Sequence, residues 1–184
     1  MPLDLSFKNF ETKLFTVLLN TSIGYSCFLA GEGRGKGVAA FIKSSMTEAL
    51  LDVKRIIFDF GQCIILEFVE LTIVNIYKSP KNVCKKTCRD FFDAIMNNLE
   101  IKKSTIICGD FNYDYGKEST NLLSVSLENK GFKQIVHDPT NIYGSCLDHV
   151  YISNDLCSRY NLHYPYYSDH EAVCAMLKKP IYKE

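Results

Sequence analysis

Five polar side chains able to carry acid–base or charge-stabilising chemistry crowd into the second half of this 184-residue chain. Asp110 and Asn112 stand in IICGDFNYD (residues 106–114), Asp148 in LDHVYI (147–152), and Asp169 and His170 in YYSDHEAVCAML (166–177). In each string an apolar strand meets acidic, amide or imidazole residues at its end, where a sheet can hold them on a fixed scaffold. A carboxylate and an amide two residues apart on extended chain point the same way. An imidazole changes charge near neutral pH under small perturbations. Asp, Asn and Ser-Asp are also ordinary turn formers, so no single string identifies a site. Three such ends in one small chain predict convergence on one cleft.

The elements that would position them read as strands, helix, strand, helix, strands. Residues 38–42, 53–60, 63–69 and 71–77 are rich in Ile, Val and Phe and predict successive strands, with Gly61-Gln62 and Glu70 as turn points. Residues 84–100 predict a helix, with Cys88, Phe91, Phe92, Ile95, Met96 and Leu99 on one apolar face. Residues 105–108 carry no charge and predict a strand buried on both faces. Ser119 or Thr120 is expected to cap a second helix running to Lys130, with Gly131 ending it in the left-handed region. Strands follow at 132–136, 147–152 and 172–177. This order suits a sheet core with helices outside.

The length fits one domain with a true core, burying roughly 70% of the unfolded chain's surface. Apolar content of 47% and charged content of 23% are ordinary globular values, and the formal net charge is zero. No global field draws the chain to nucleic acid, so such a partner would require a local basic patch. The candidates are Arg34, Lys36, Lys43, Lys78, Lys81, Lys85, Lys86, Lys102 and Lys103, most of them expected to be solvated surface. The eight cysteines lack paired metal spacing, and several lie in apolar runs where Cys behaves as a small hydrophobe. The start MPLDLSFKNF is not a signal peptide and no apolar run approaches a membrane span. The expectation is a reduced intracellular protein, cytoplasmic or nuclear, neither secreted nor membrane-bound. The glycine-rich GEGRGKG (31–37) runs into a strand rather than a helix and lacks the Lys-Ser/Thr ending of a P-loop.

Five strings in a fixed order resemble the endonuclease/exonuclease/phosphatase superfamily. They are GRGKGVAAFIK (33–43), LTIVNIYKSP (71–80), IICGDFNYD, PTNIYGSCLDHVYIS (139–153) and YYSDHEAVCAML. The likeness is greatest to the endonuclease domains of non-LTR retrotransposons, with AP endonucleases as cousins, and it spans residues 33–177. It implies a single domain over residues 1–184 with an α/β fold, a two-sheet β-sandwich flanked by helices in four layers, lacking the family's first strand and its Asn.

The resemblance also implies roles. Asp110 matches the residue that handles a proton at the scissile phosphate. Asn112 matches the one that holds the phosphate or nucleophile in line. His170 matches the imidazole that contacts the phosphate, and Asp148 the carboxylate that orients and charges it. Tyr77 matches a tyrosine whose hydroxyl meets the phosphate, with a core aromatic as the equal alternative. Thr140 would line the site, while Asn141 stands where the family often has Arg. His149 is expected to be structural, and His137 and His163 match nothing. Catalysis in the family is metal-assisted, with Mg²⁺ or Mn²⁺ near Asp169 and on a Glu, for which Glu11 in FETKL is the candidate and Glu32 an outside one. Lys13 replaces the Trp usual beside that Glu. The implied activity is divalent-metal-dependent phosphodiester hydrolysis by a DNA endonuclease-like domain of mobile-element origin, in a parent polyprotein with reverse transcriptase. Two alternatives stay open: the same fold hydrolysing a small or lipid phosphoester, and a degenerate domain that only binds nucleic acid or a partner.

Overall fold

The computed structural model describes residues 24–31, 37–80, 84–99, 104–115, 122–153, 157–166 and 168–178. An antiparallel pair, β1 (Tyr25–Ala30) and β2 (Val38–Lys43), is followed by the short helix α1 (Ser44–Thr47). A meander then runs through β3 (Leu50–Phe58), β4 (Gly61–Phe68) and β5 (Leu71–Lys78). Helix α2 (Lys85–Met96) carries the chain over to β6 (Ser104–Asp110), which lies parallel to β5. Helix α3 (Leu122–Asn129), β7 (Phe132–Gln134) and β8 (Asp148–Ser153) complete a six-stranded sheet of order β3-β4-β5-β6-β8-β7. A final antiparallel hairpin joins β9 (Cys157–His163) to β10 (Ala172–Leu177).

Side chains alternate across the six-stranded sheet, so each face buries its own set. One face presents Cys63, Ile65, Val74, Ile76, Ile107 and Tyr151 to Phe91, Phe92 and Ile95 of α2 and to Leu123 and Leu127 of α3. The other presents Ile64, Leu66, Ile106, Val150 and Ile152 to the β1–β2 and β9–β10 pairs. The result is the α/β sandwich expected, with strands packed on strands and helices outside. Among the described residues the second layer is two separate strand pairs rather than one sheet.

Three expectations are corrected. The turn between β3 and β4 is Asp59-Phe60 rather than Gly61-Gln62. Phe60 is buried against Phe58 and Phe91, with ring centroids 5.8 and 5.5 Å away, and this draws the turn one step earlier. The strand predicted at 132–136 stops at Gln134, whose side-chain Oε1 accepts the N–H groups of Ile135 and Val150 at 3.0 and 2.9 Å. Helix α2 ends at Met96 and tightens, with Asn98 and Leu99 donating to the carbonyls of Ile95 and Met96. Its apolar face is as predicted, and Gly131 ends the α3 turn with φ +84°. The predicted cap of α3 at Ser119 or Thr120, and the residues before β1 to which the expectation of an absent first strand applies, lie outside the described residues.

Gly109 sets the end of β6. Its φ is +135°, and a Cβ there would sit 1.9 Å from the Ile76 carbonyl oxygen on β5. Only glycine lets β6 stay in register with β5 up to Asp110. Gly109→Ala is therefore expected to cost more than about 2 kcal/mol, from strain and a pushed-apart ladder. For a chain of this size that lowers the thermal midpoint by roughly 4 °C or more, as a melt followed by circular dichroism would record.

Candidate active site

Across four neighbouring strands, Gln62, Tyr77, Asp110 and Asp148 fall in one row of register partners. The row shares its parity with Ile64, Ile106 and Val150, so it belongs to the face turned toward β1–β2 and β9–β10. Tyr77, half-buried, is therefore beside Asp110 rather than in the core against the helices.

His170 arrives from the β9–β10 connection. Its Nδ1 lies 2.7 Å from Asp148 Oδ2, and both side chains are partly buried. An isolated antiparallel bridge pairs His170 with Asn141, and the His170 N–H donates to Ser168 Oγ at 3.0 Å. Asp110 folds back on its own loop: Oδ1 accepts the Asn112 N–H at 2.9 Å and Oδ2 the Asn112 Nδ2 at 2.8 Å. Asn112 sits at φ +49°, a conformation Asn tolerates better than most residues, and its Nδ2 also donates to the Lys78 carbonyl at 2.8 Å. The turn role and the site role of Asp110 and Asn112 thus coincide.

Asp110, Asp148 and His170 form the one cluster of acid or imidazole ligands among the described residues, with ligand atoms all within 4.8 Å of one another. Burial pushes the Asp110 carboxyl up to about 6, and the Asp148 charge adds to this, while hydrogen bonds from Asn112 and the His170 charge oppose it. Burial alone lowers His170, but the hydrogen bond to Asp148 and the charges of Asp148, Asp110 and Asp169 outweigh it and hold the imidazole above its ordinary value. The carboxylate oxygens here are hard donors of the kind that suit Mg²⁺ or Mn²⁺. A protonated His170 has no lone pair to offer a cation, so with the imidazole charged the carboxylate oxygens are the donors.

Asp169 is exposed and stands outside that cluster, with its carbonyl accepting the Ile142 N–H at 3.0 Å. Glu11 and Glu32 lie outside the described residues. Of the basic candidates, Lys43, Lys85 and Lys86 are exposed, Lys78 is half-buried with Nζ donating to the Ser79 carbonyl, and the other five lie outside the described residues.

Thr140 does not line the site. It is fully buried, and its Oγ1 accepts the N–H groups of Leu147 and Asp148, both at 2.9 Å. Its carbonyl accepts the Glu171 N–H at 2.8 Å. One side chain therefore fixes the start of β8 at Asp148 while its backbone holds the strand that follows His170. The PTN string contained this residue, but nothing in a string shows which N–H groups a hydroxyl will meet. His149 faces the other way, buried and stacked on Phe111 at 4.8 Å, with Nε2 3.0 Å from the Cys146 carbonyl. Burial lowers its pKa, in keeping with a neutral core imidazole.

The fold is an α/β sandwich with two carboxylates and an imidazole gathered at one end of its six-stranded sheet. The chain belongs to the Endonuclease/Exonuclease/phosphatase family, whose model matches residues 4–170. Its structure is similar to the endonuclease domain of TRAS1, a telomere-specific non-LTR retrotransposon, with a TM-score of 0.62, 15% identity, and 85% of this chain and 81% of that one covered. It is similar to an AP endonuclease from Archaeoglobus fulgidus, with a TM-score of 0.62, 15% identity and coverage of 85% and 80%. It also resembles the inositol polyphosphate 5-phosphatase domain of SpSynaptojanin, with a TM-score of 0.52, 17% identity and coverage of 90% and 67%. At these identities the likeness is one of fold, shared by nucleases and phosphatases alike. No curated protein sequence matches the chain.

Two outcomes follow from the cluster. Because Asp110 binds its proton more tightly folded (about 6) than unfolded (3.8), the folded state loses stability as pH rises through that window. Asp110→Asn removes that pH dependence, so the stability of the variant relative to the parent is expected to rise by about 1–2 kcal/mol from below pH 3.8 to pH 8, the full shift being discounted for partial solvation, on top of a pH-independent loss from the acceptor that Asn112 no longer finds. Urea denaturation at the two pH values reads this. Thr140→Val, which strands two N–H groups, is expected to cost about 2–4 kcal/mol, while Thr140→Ser stays within about 1 kcal/mol of the parent; urea midpoints compare the two.

Proposed function

We propose that this chain is a divalent-metal-dependent phosphodiesterase that cuts DNA, a single endonuclease-like domain of mobile-element origin. The observation that carries the reading is the 2.7 Å Asp148–His170 pair standing within ligand distance of Asp110. A carboxylate-oriented imidazole whose charged form is favoured, next to a second carboxyl with a raised pKa, suits in-line attack on a phosphate. Phosphoryl transfer asks chiefly for positioning and charge stabilisation, so a small set of groups suffices.

In this reading His170 donates to a non-bridging phosphate oxygen and Asp148 keeps it charged and aimed. Asp110, whose proton is held up to about 6, passes a proton at the attacking water or the leaving oxygen. Asn112 fixes the Asp110 carboxylate by two hydrogen bonds and keeps the loop in place for the phosphate. Tyr77, in register beside Asp110, supplies a hydroxyl at the same edge. Asp169 and Glu11 would hold Mg²⁺ or Mn²⁺ with help from the cluster carboxylates. When bound, the ion would neutralise charge on the phosphate. A mobile-element origin, with reverse transcriptase in a parent polyprotein, draws support from the likeness to the TRAS1 domain. No helix among the described residues is long and apolar enough to cross a membrane, which is compatible with a cytoplasmic or nuclear DNA-cutting protein.

Purified protein with supercoiled plasmid and Mg²⁺ or Mn²⁺ tests this. Nicking is expected with either metal, abolished by EDTA and reduced about 10²–10³-fold in His170→Ala. Glu11→Gln is expected to raise the metal concentration needed for half-maximal rate. Metal-independent nicking, or nicking unchanged in His170→Ala, would sink the proposal.

A further inference from the structure

Four of the ten large apolar side chains exposed among the described residues lie in two short loops: Ile142 and Tyr143 in one, Tyr164 and Tyr166 in the other. Tyr143 is 75% exposed, Tyr164 63% and Tyr166 97%. Both loops are tied to the catalytic imidazole. Asn141 bridges His170, and Ile142 donates to the Asp169 carbonyl at 3.0 Å. Consecutive Cα atoms are about 3.8 Å apart, so the Tyr143 Cα lies within about 8 Å of that of Asn141. Tyr164 lies one step beyond the Ala172–His163 pair of the β9–β10 hairpin, on the strand facing the segment that carries His170. The first loop is rigid: Asn141 Oδ1 accepts the N–H groups of Tyr143 and Ser145 at 3.1 and 2.9 Å, and Gly144 turns it with φ +78°.

Three tyrosines held out to solvent on the two loops fastened to the His170 segment offer an interaction surface. The chain's charge says how that surface binds. Its 21 basic and 21 acidic residues cancel, and the cluster itself carries carboxylates, so no global field draws phosphates to the cleft. Flat amphipathic rings supply the other term that nucleic-acid proteins use, since stacking a base on an aromatic ring is worth about 1–3 kcal/mol and tolerates any base. A base inside a duplex has both faces covered by its neighbours, whereas an unpaired one does not.

We infer that Tyr143 and Tyr164 form a stacking rim that receives unpaired nucleobases next to the scissile phosphate, so that the site works on single-stranded or locally opened DNA. This rests on the phosphodiesterase reading above and adds to it the state of the substrate. Salt dependence of binding is then shallow, because stacking rather than phosphate contact holds the strand.

Binding is read separately from hydrolysis. An oligonucleotide carrying an unpaired 2-aminopurine is titrated with protein in EDTA at about 0.15 M ionic strength, where screening limits the acid cluster's repulsion to about 8 Å. Saturable quenching is expected for the parent and for the Tyr143→Phe, Tyr164→Phe double variant, with at least tenfold weaker binding for the Tyr143→Ala, Tyr164→Ala double variant. Tenfold corresponds to about 1.4 kcal/mol. A fully paired duplex is expected to bind at least tenfold more weakly than the unpaired strand. In parallel, all three proteins are given bis(p-nitrophenyl) phosphate with Mn²⁺, and hydrolysis is expected to be equal. Absence of saturable quenching by the parent, or equal quenching by the alanine variant, would overturn the stacking rim. So would parent binding to phosphatidylcholine vesicles in place of the oligonucleotide, which would make the tyrosines a lipid-facing surface. Loss of bis(p-nitrophenyl) phosphate hydrolysis in all three proteins would instead strike the phosphodiesterase reading and leave the binding result to stand by itself.

Discussion

Two carboxylates, Asp110 and Asp148, face each other as register partners at the end of the β6–β8 ladder, and much of the structure serves to make that arrangement tolerable. Like charges so placed repel, and burial strengthens the repulsion. The chain relieves it in two directions. Asp148 is given an imidazole, and Asp110 is given two donors from Asn112 and a carboxyl that burial pushes up to about 6. Each relief requires its own scaffold. The imidazole must come from the far strand pair, which needs Asn141 and Thr140 to fasten it. The donors must come from a loop that turns immediately after the strand, which needs Gly109 before it and a positive φ at Asn112.

This division accounts for the two faces of the sheet. The face toward the helices is filled with aromatic and aliphatic side chains, and even its histidine, His149, is held neutral by burial and stacking. The opposite face ends in the polar row at Asp110 and Asp148. Because strand residues alternate, Asp148 and His149 can be adjacent in sequence yet serve opposite ends of the chemistry, one facing the cleft and the other the core.

Much of this was legible in the residues. The strands β2 to β6 were readable as apolar runs rich in β-branched and aromatic residues, and the apolar face of α2 from its helical periodicity. The three strings with Asp110, Asp148 and His170 predicted a common cleft, and those side chains do meet. β9 escaped the sequence reading although RYNLH alternates, with Arg159, Asn161 and His163 exposed and Tyr160 and Leu162 packed inward. The other misses have a shared tertiary cause. The early turn at Asp59-Phe60 depends on a ring finding Phe91 from a distant helix, and the end of β7 depends on a glutamine oxygen capturing N–H groups from two strands. Thr140 appeared in the right string with the wrong task, because a hydroxyl's partners are fixed only by tertiary structure.

The Asp148–His170 contact spans 22 residues and joins the two strand layers. Asp110 and Asp148 belong to the six-stranded sheet, while the imidazole stands between β9 and β10, on the strand pair that helps to cover one face of that sheet. A shift of that pair across the sheet would carry His170 away from both carboxylates without moving either of them, so the spacing of the cluster reports how the two layers are seated.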